Sequence, residues 1–191
     1  MNKKKFSFDN YYSSFLDLIK PNKEIVHKIN FFCNLIKKTN RQKSKILFFG
    51  NGGSAAIASH VAIDLTKNAK MQSLCFNDSS HITCLANDYG YENWIQKSIE
   101  FHCNKNDLVV LISSSGASPN MIKAAKFCIK KKIKLVTFTG KSSRNKLKLL
   151  NLKGLNFWVN SYAYNHIELT HLFWLLSSVD TIIGKFKYKV N

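Results

Sequence analysis

The sequence predicts an α/β protein, a three-layer α/β/α sandwich built on a five-stranded, mainly parallel sheet and preceded by N-terminal helices. Three observations predict it. Short apolar runs such as Ile46–Phe49 and Leu108–Ile112 have the length and β-branched or aromatic content of buried strands. Segments with helical spacing of apolar residues separate these runs, as crossover connections between parallel strands require. Two of the runs end directly in glycine- and serine-rich loops, Gly50–Ser54 and Ser113–Ser118. At 191 residues the chain reads as one domain, with residues 1–40 as a helical segment and 41–191 as the α/β core.

Each element follows from local chemistry. Tyr11, Phe15, Leu16 and Ile19 recur at helical spacing within Phe6–Ile19, and Lys20-Pro21-Asn22 ends that helix. A second amphipathic helix runs from about Lys23 to Lys38, with Ile25, Ile29, Phe32, Cys33 and Ile36 on or near one face. These two helices either cover the sheet or pack on a neighbouring subunit. The strand Ile46–Phe49 feeds the first loop and a helix over about Ser54–Lys67. Ser73–Phe76 is a weak strand. Asp78 or Ser79 caps a short helix through Ala86, and Tyr91–His102 is helical again. Strand Asp107–Ile112, helix Pro119–Lys131 and strand Lys134–Thr139 follow, then a short helix near Asn145–Leu150 and the strand Leu155–Val159. An apolar helix over about Tyr164–Ile183 closes the chain and stops at Gly184.

Composition narrows the function classes. The net charge of +18 invites a nucleic-acid reading, but only Arg41 and Arg144 are arginines. Lysine lacks the guanidinium fork for bidentate contacts, and the lysines are spread along the chain, so a solvated basic surface is expected and nucleic acid is not. Such a surface still favours small anions by steering. No apolar run approaches the ~20 residues of a membrane span. Lys3-Lys4-Lys5 is followed by Ser7, Asp9 and Asn10 instead of an apolar segment, so no signal peptide is expected. Five scattered cysteines without a Cys-x-x-Cys pair fit reduced thiols in a cytoplasm.

The two loops carry the chemistry. Small residues let backbone approach a ligand, a helix N-terminus offers unpaired N–H groups to an anion, and serine hydroxyls add donors. Both loops sit at the C-terminal ends of strands, which points to a phosphorylated ligand held there.

Three motifs extend this to a family resemblance. Gly50-Asn51-Gly52-Gly53-Ser54-Ala55-Ala56 with His60, then Ala86-Asn87-Asp88-Tyr89-Gly90-Tyr91-Glu92, then Ile112-Ser113-Ser114-Ser115-Gly116-Ala117-Ser118-Pro119-Asn120 resemble, in that order, the sugar-isomerase (SIS) domain. Within that fold they resemble the phosphoheptose isomerases. The resemblance spans nearly the whole chain. It implies the SIS fold and conversion of sedoheptulose 7-phosphate to D-glycero-D-manno-heptose 7-phosphate through an enediol. It also implies a homotetramer with sites between subunits, and zinc. The same scaffold serves as non-catalytic phosphosugar-binding regulators and as isomerases of other sugar phosphates, which are the alternatives.

Residue by residue, the resemblance places substrate contacts on Asn51, Gly52, Gly53 and Ser54, on Asn87 and Asp88, and on Ser113, Ser114, Ser115 and Ser118. The serine loop would hold the phosphate, and Asn87 and Asp88 would meet sugar hydroxyls. The family's zinc site uses a histidine and a glutamate one turn apart, which fall on His60 and Asp64, an aspartate being one methylene shorter. On the last helix the family has a glutamine and, eight residues later, a histidine that ligates zinc and acts as the acid. Those positions are Glu168 and Leu176 here. Leucine can neither ligate nor transfer a proton. His171, one turn after Glu168, is the expected stand-in, against the alternative that it packs among Leu172, Trp174 and Leu175. His60, Asp64 and Glu168 are thus the candidate metal ligands, and Asp64, Glu168 and His171 the candidate acid–base groups.

Overall fold

A computed structural model describes residues 6–186, so Lys3-Lys4-Lys5 lies outside the described residues. Thirteen elements follow in chain order: α1 (Phe8–Ile19), α2 (Lys23–Arg41), β1 (Ile46–Phe49), α3 (Gly53–Lys67), β2 (Ser73–Cys75), α4 (Ser79–Tyr89), α5 (Trp94–His102), β3 (Leu108–Ser113), α6 (Pro119–Lys130), β4 (Lys134–Thr139), α7 (Lys146–Leu150), β5 (Leu155–Trp158) and α8 (Tyr164–Ile183). All four strand pairings are parallel, in the order β2-β1-β3-β4-β5.

The apolar runs are continuous because both sheet faces are covered. Alternate residues of β1 point to opposite layers. Ile46 and Phe48 join Phe32, Val61, Phe138, Phe157, Leu175 and Val179 in one core, under α2, α3 and α8. Leu47 and Phe49 join Trp94, Ile99, Leu111, Met121, Ala125 and Cys128 in the other, under α4, α5 and α6. At the opposite end of the sheet from the two loops, the buried Asp107 carboxylate binds the Lys45 ammonium (2.5 Å) and accepts from the backbone N–H groups of Lys45 and Asn104.

Helix starts follow the cap chemistry. The Asn22 side chain accepts from the Ile25 N–H, and Asp78 accepts from the N–H groups of Ser80 and His81. α8 ends at Gly184 in the left-handed conformation. Three boundaries differ from expectation by three residues each, the first being that α2 runs on past Lys38 to Arg41. α4 continues past Ala86 to Tyr89, because Asn87 and Asp88 still take helical backbone before Gly90 breaks it. α5 starts at Trp94 instead of Tyr91, with Asn93 as its cap.

The leading helices pack on the rest of the chain to different extents. α2 buries Phe32, Cys33 and Ile36 against the sheet. α1 buries no residue completely and holds to α8 through Tyr11 and Phe15, which lie against the His166 ring. Phe8 and Tyr12 of α1 remain exposed, as do Leu169 and Phe173 on the outer face of α8.

β2 lies on one side of β1, and β3, β4 and β5 on the other. The crossovers leaving β1 and β3 therefore run to opposite faces, and a crevice opens between the ends of these adjacent strands. The two small-residue loops are the connections that leave those strand ends.

Candidate functional site

A cleft of about 110 Å³ lies at this switch point, lined by Asn51, Ser54, Ile112, Ser113, Ser114, Ser115, Ser118, Tyr164 and Glu168. Three helix N-termini meet there, those of α3, α6 and α8. Each brings unpaired N–H groups and the positive end of a helix dipole, so the cleft favours an anion before any side chain is counted.

Glycines make the loops possible. Gly52 and Gly116 take positive φ, at 55° and 61°. A Cβ on Gly116 would also meet the Asn145 side chain, which caps α7. Several serine hydroxyls are left available. Ser118 is the N-cap residue of α6 but makes no side-chain cap bond. Ser115 Oγ accepts from the Ala117 N–H at 3.2 Å, which leaves its own proton free to donate.

Glu168 reaches into the cleft from the start of α8. Its Oε1 accepts from the Ser114 hydroxyl at 3.3 Å, and Ser114 Oγ lies 3.5 Å from Ser54 Oγ. The carboxylate rests on Gly53, where any Cβ would collide with it. On the far side of Glu168 a second, more apolar cleft of about 360 Å³ opens between Tyr11, Ile57, Leu169 and Leu172. Among the described residues Glu168 is the one carboxylate or imidazole lining the cleft with the serine loop.

The residues expected at the site divide accordingly. Asn51, Ser54, Ser113, Ser114, Ser115, Ser118 and Glu168 are brought together, with Gly52 and Gly53 beneath them. Asn87 and Asp88 are not among the lining residues. Both are exposed on the last turn of α4, with Asn87 Nδ2 donating to Asp88 Oδ1. His60 and Asp64 form a pair at 3.5 Å on α3, the imidazole half exposed.

The metal set of His60, Asp64 and Glu168 is not assembled within one chain. His60 lies about 10 Å along α3 from Gly53 at 1.5 Å per residue, whereas Glu168 is turned over Gly53 itself. Among the described residues no three His, Cys, Asp or Glu side chains converge on a common point.

His171, the expected stand-in for the missing acid, does not reach the cleft. Its imidazole is fully buried, edge-on to Phe138 and beside Trp174, and its Nε2 lies 3.1 Å from the Thr139 carbonyl. A carbonyl only accepts, so Nε2 carries the proton and the unpartnered Nδ1 is bare. Burial drives its pKa down to about 4, against a smaller opposing effect of the Thr139 bond. A neutral ring sealed in the core can neither reach substrate nor exchange a proton with it. Leu176 lines a separate apolar groove with Leu169, Phe173 and Phe186.

Two contributors lie outside the expected set. Tyr164, the first residue of α8, lines the cleft and carries the Lys141 ammonium 3.8 Å over its ring. Asn120, buried at the start of α6, exchanges two amide hydrogen bonds with Asn51. Tyr164 gave no signal in the sequence. Asn120 closes the third motif, but nothing in its spacing marks it as a partner of Asn51.

A switch-point crevice lined with serines, three helix N-termini and one carboxylate defines an α/β protein whose site suits a small anionic ligand. The SIS-domain family model matches residues 10–140, and the chain belongs to that family. Among similar proteins are the phosphoheptose isomerases of Thermodesulfovibrio yellowstonii and Cytophaga hutchinsonii. The first is 33% identical over 156 residues, 78% of this chain and 76% of the relative. The second is 35% identical over 155 residues, 75% and 80% of the respective chains. The solved structure of the phosphoheptose isomerase GmhA from Neisseria gonorrhoeae has the same fold, with a TM-score of 0.83 at 24% identity over 91% of this chain and 96% of that one.

Proposed function

We propose that this protein is an aldose–ketose isomerase that converts sedoheptulose 7-phosphate to D-glycero-D-manno-heptose 7-phosphate. Relatives named phosphoheptose isomerase, similar over most of the chain, support the substrate. The single observation that carries the chemistry is the position of Glu168, a lone carboxylate hydrogen-bonded to the serine loop through Ser114.

In this reading Ser115, Ser118 and the N–H groups opening α6 hold the phosphate, and Asn51 and Ser54 meet oxygens of the sugar. Glu168 takes a proton from C1 of the ketose while the C2 carbonyl oxygen gains one from solvent water, giving the enediol. The proton then returns to C2 as the C1 hydroxyl loses its own and becomes the aldehyde. The step is redox-neutral overall and moves two protons, one from C1 to C2 by way of the Glu168 carboxylate and one from the C1 hydroxyl to the C2 oxygen by way of solvent water. The helix N-termini stabilise the negative charge that develops on the enediol oxygens.

The zinc that the resemblance implies would need donors beyond those one chain gathers. His60 and Asp64 supply two, Glu168 faces Gly53, and the remaining position is Leu176. These residues of one chain do not fit a zinc site, and no step above passes through metal.

The active form is a homo-oligomer, a tetramer by family likeness, working in the cytoplasm. The apolar outer faces of α1 and α8 support assembly, and no described helix is long and apolar enough to cross a membrane. The test is incubation of the purified protein with sedoheptulose 7-phosphate, with and without zinc, following the aldose product. Product formation that disappears in Glu168→Gln upholds the reading. Tight binding of the sugar phosphate without turnover under either condition overturns it in favour of a regulatory phosphosugar-binding protein, which Leu176 and the sealed His171 would then explain.

A further inference from the structure

The loop after β1 and the helix after β3 are joined by a closed pair of carboxamides. Asn51 Nδ2 donates to Asn120 Oδ1 at 3.1 Å, and Asn120 Nδ2 donates back to Asn51 Oδ1 at 3.0 Å. The orientation of this pair is fixed from outside it. The Met121 backbone N–H donates to Asn120 Oδ1 at 2.9 Å, so that atom must be the oxygen, and the amide group of Asn120 must face Asn51. Asn51 is then oriented in turn, with its oxygen towards Asn120 Nδ2. The Tyr91 hydroxyl donates to the same oxygen at 3.3 Å and takes up its second lone pair. Asn120 is 1% exposed and can exchange no partner for water.

Counting the bonds leaves Asn51 with one free function. Both lone pairs of its oxygen are occupied, one N–H is given to Asn120, and the second N–H has no partner among the described residues while the residue lines the cleft. We infer that Asn120 is a positioning residue that makes Asn51 a fixed hydrogen-bond donor, so that the cleft accepts an oxygen acceptor of the sugar phosphate at this point. An unconstrained asparagine would turn its carbonyl there in half of its orientations, and would lose the advantage of a donor set in place before the reaction. The inference rests on reading the cleft as the isomerase site.

The experiment is a double-mutant cycle on Asn51→Ala and Asn120→Ala, measuring kcat and KM for sedoheptulose 7-phosphate, with thermal melting to confirm that each variant is folded. Asn120→Ser replaces Asn120→Ala if the latter does not fold, since its hydroxyl is too short to reach Asn51. A residue that acts through Asn51 lowers kcat/KM about tenfold or more in the wild-type background, the size of one lost hydrogen bond to substrate. In the Asn51→Ala background the same change should leave kcat/KM within about twofold. A purely structural role would multiply the two losses, and that result overturns the inference, as does an Asn120 variant with wild-type kcat/KM. If the wild-type protein binds the sugar phosphate without turnover, the isomerase reading fails by itself. The same cycle read on sedoheptulose 7-phosphate affinity by calorimetry then decides the role of Asn120 by the same rule.

Discussion

The Glu168 carboxylate lies directly on Gly53, leaving no room for a side chain at position 53. Gly53 opens α3 with φ outside the left-handed region, so alanine is acceptable to its backbone and only the carboxylate must move. Gly53→Ala should therefore melt within a few degrees of wild type while kcat falls about 10²-fold, the cost of displacing a reacting group by about 1 Å. A matched loss of melting temperature and activity would instead make Gly53 a folding residue.

Glu168→Gln keeps the shape and the bond to Ser114 but removes the mobile proton. The expected loss in kcat is about 10²–10⁴-fold with little change in KM, the range of a lost general base. Retained turnover in Glu168→Gln would move the base to another group, Asp64 being the next carboxylate in line.

The serine loop should govern binding more than chemistry. Ser115→Ala removes the hydroxyl proposed to donate to the phosphate and leaves the α6 N–H groups in place. Affinity for a phosphorylated sugar should weaken by ~0.5–3 kcal/mol, as for a hydrogen bond to a charged group. Isothermal titration with sedoheptulose 7-phosphate measures it, and unchanged affinity would take Ser115 out of the phosphate subsite.

Much of this architecture is legible in the sequence because its signals are local. A four-residue apolar run followed by Asn-Gly-Gly-Ser reads as a strand, a tight turn and a helix start, and β1 and α3 lie where that chemistry puts them. Every expected strand forms, including the weak one at Ser73. The site is less legible, because it depends on which way side chains turn. Glu168 and His171 share nearly one helix face by spacing, yet Glu168 tips over Gly53 while His171 is drawn under Phe138 to the Thr139 carbonyl. A difference of one turn on α8 separates cleft from core. The Asn51–Asn120 clasp joins residues 69 positions apart, and only the adjacency of β1 and β3 brings them together.

Assembly has a direct check on the outer face of α8. Phe173 is exposed in the single chain, beside Leu169, Leu172 and Leu176, and together these form an apolar surface that favours burial against another copy. Light scattering at micromolar concentration should give a homo-oligomer, and Phe173→Glu should reduce its mass, since an unpaired charge cannot be buried cheaply in such a contact. A wild-type monomer would remove the assembly and any site shared between subunits.

The buried histidine predicts how stability depends on pH. His171 is neutral in the folded protein with its pKa pushed down to about 4 by burial, whereas in the unfolded chain it titrates at the ordinary value of about 6.5. Between those values the unfolded state binds the extra proton, so lowering the pH favours unfolding. Above pH ~6.5 the residue contributes no slope. As pH falls from ~6.5 to ~4 it removes stability on the order of 3 kcal/mol, and below that the slope from this group ends. Urea unfolding of wild type and His171→Leu across pH 4–8 isolates the effect, because other carboxylates and histidines contribute to both proteins alike. The leucine variant should lose less stability over that interval, whatever its absolute stability. Equal slopes would mean that His171 takes up a proton in the folded state, and the imidazole would then return to the list of groups able to act in the cleft.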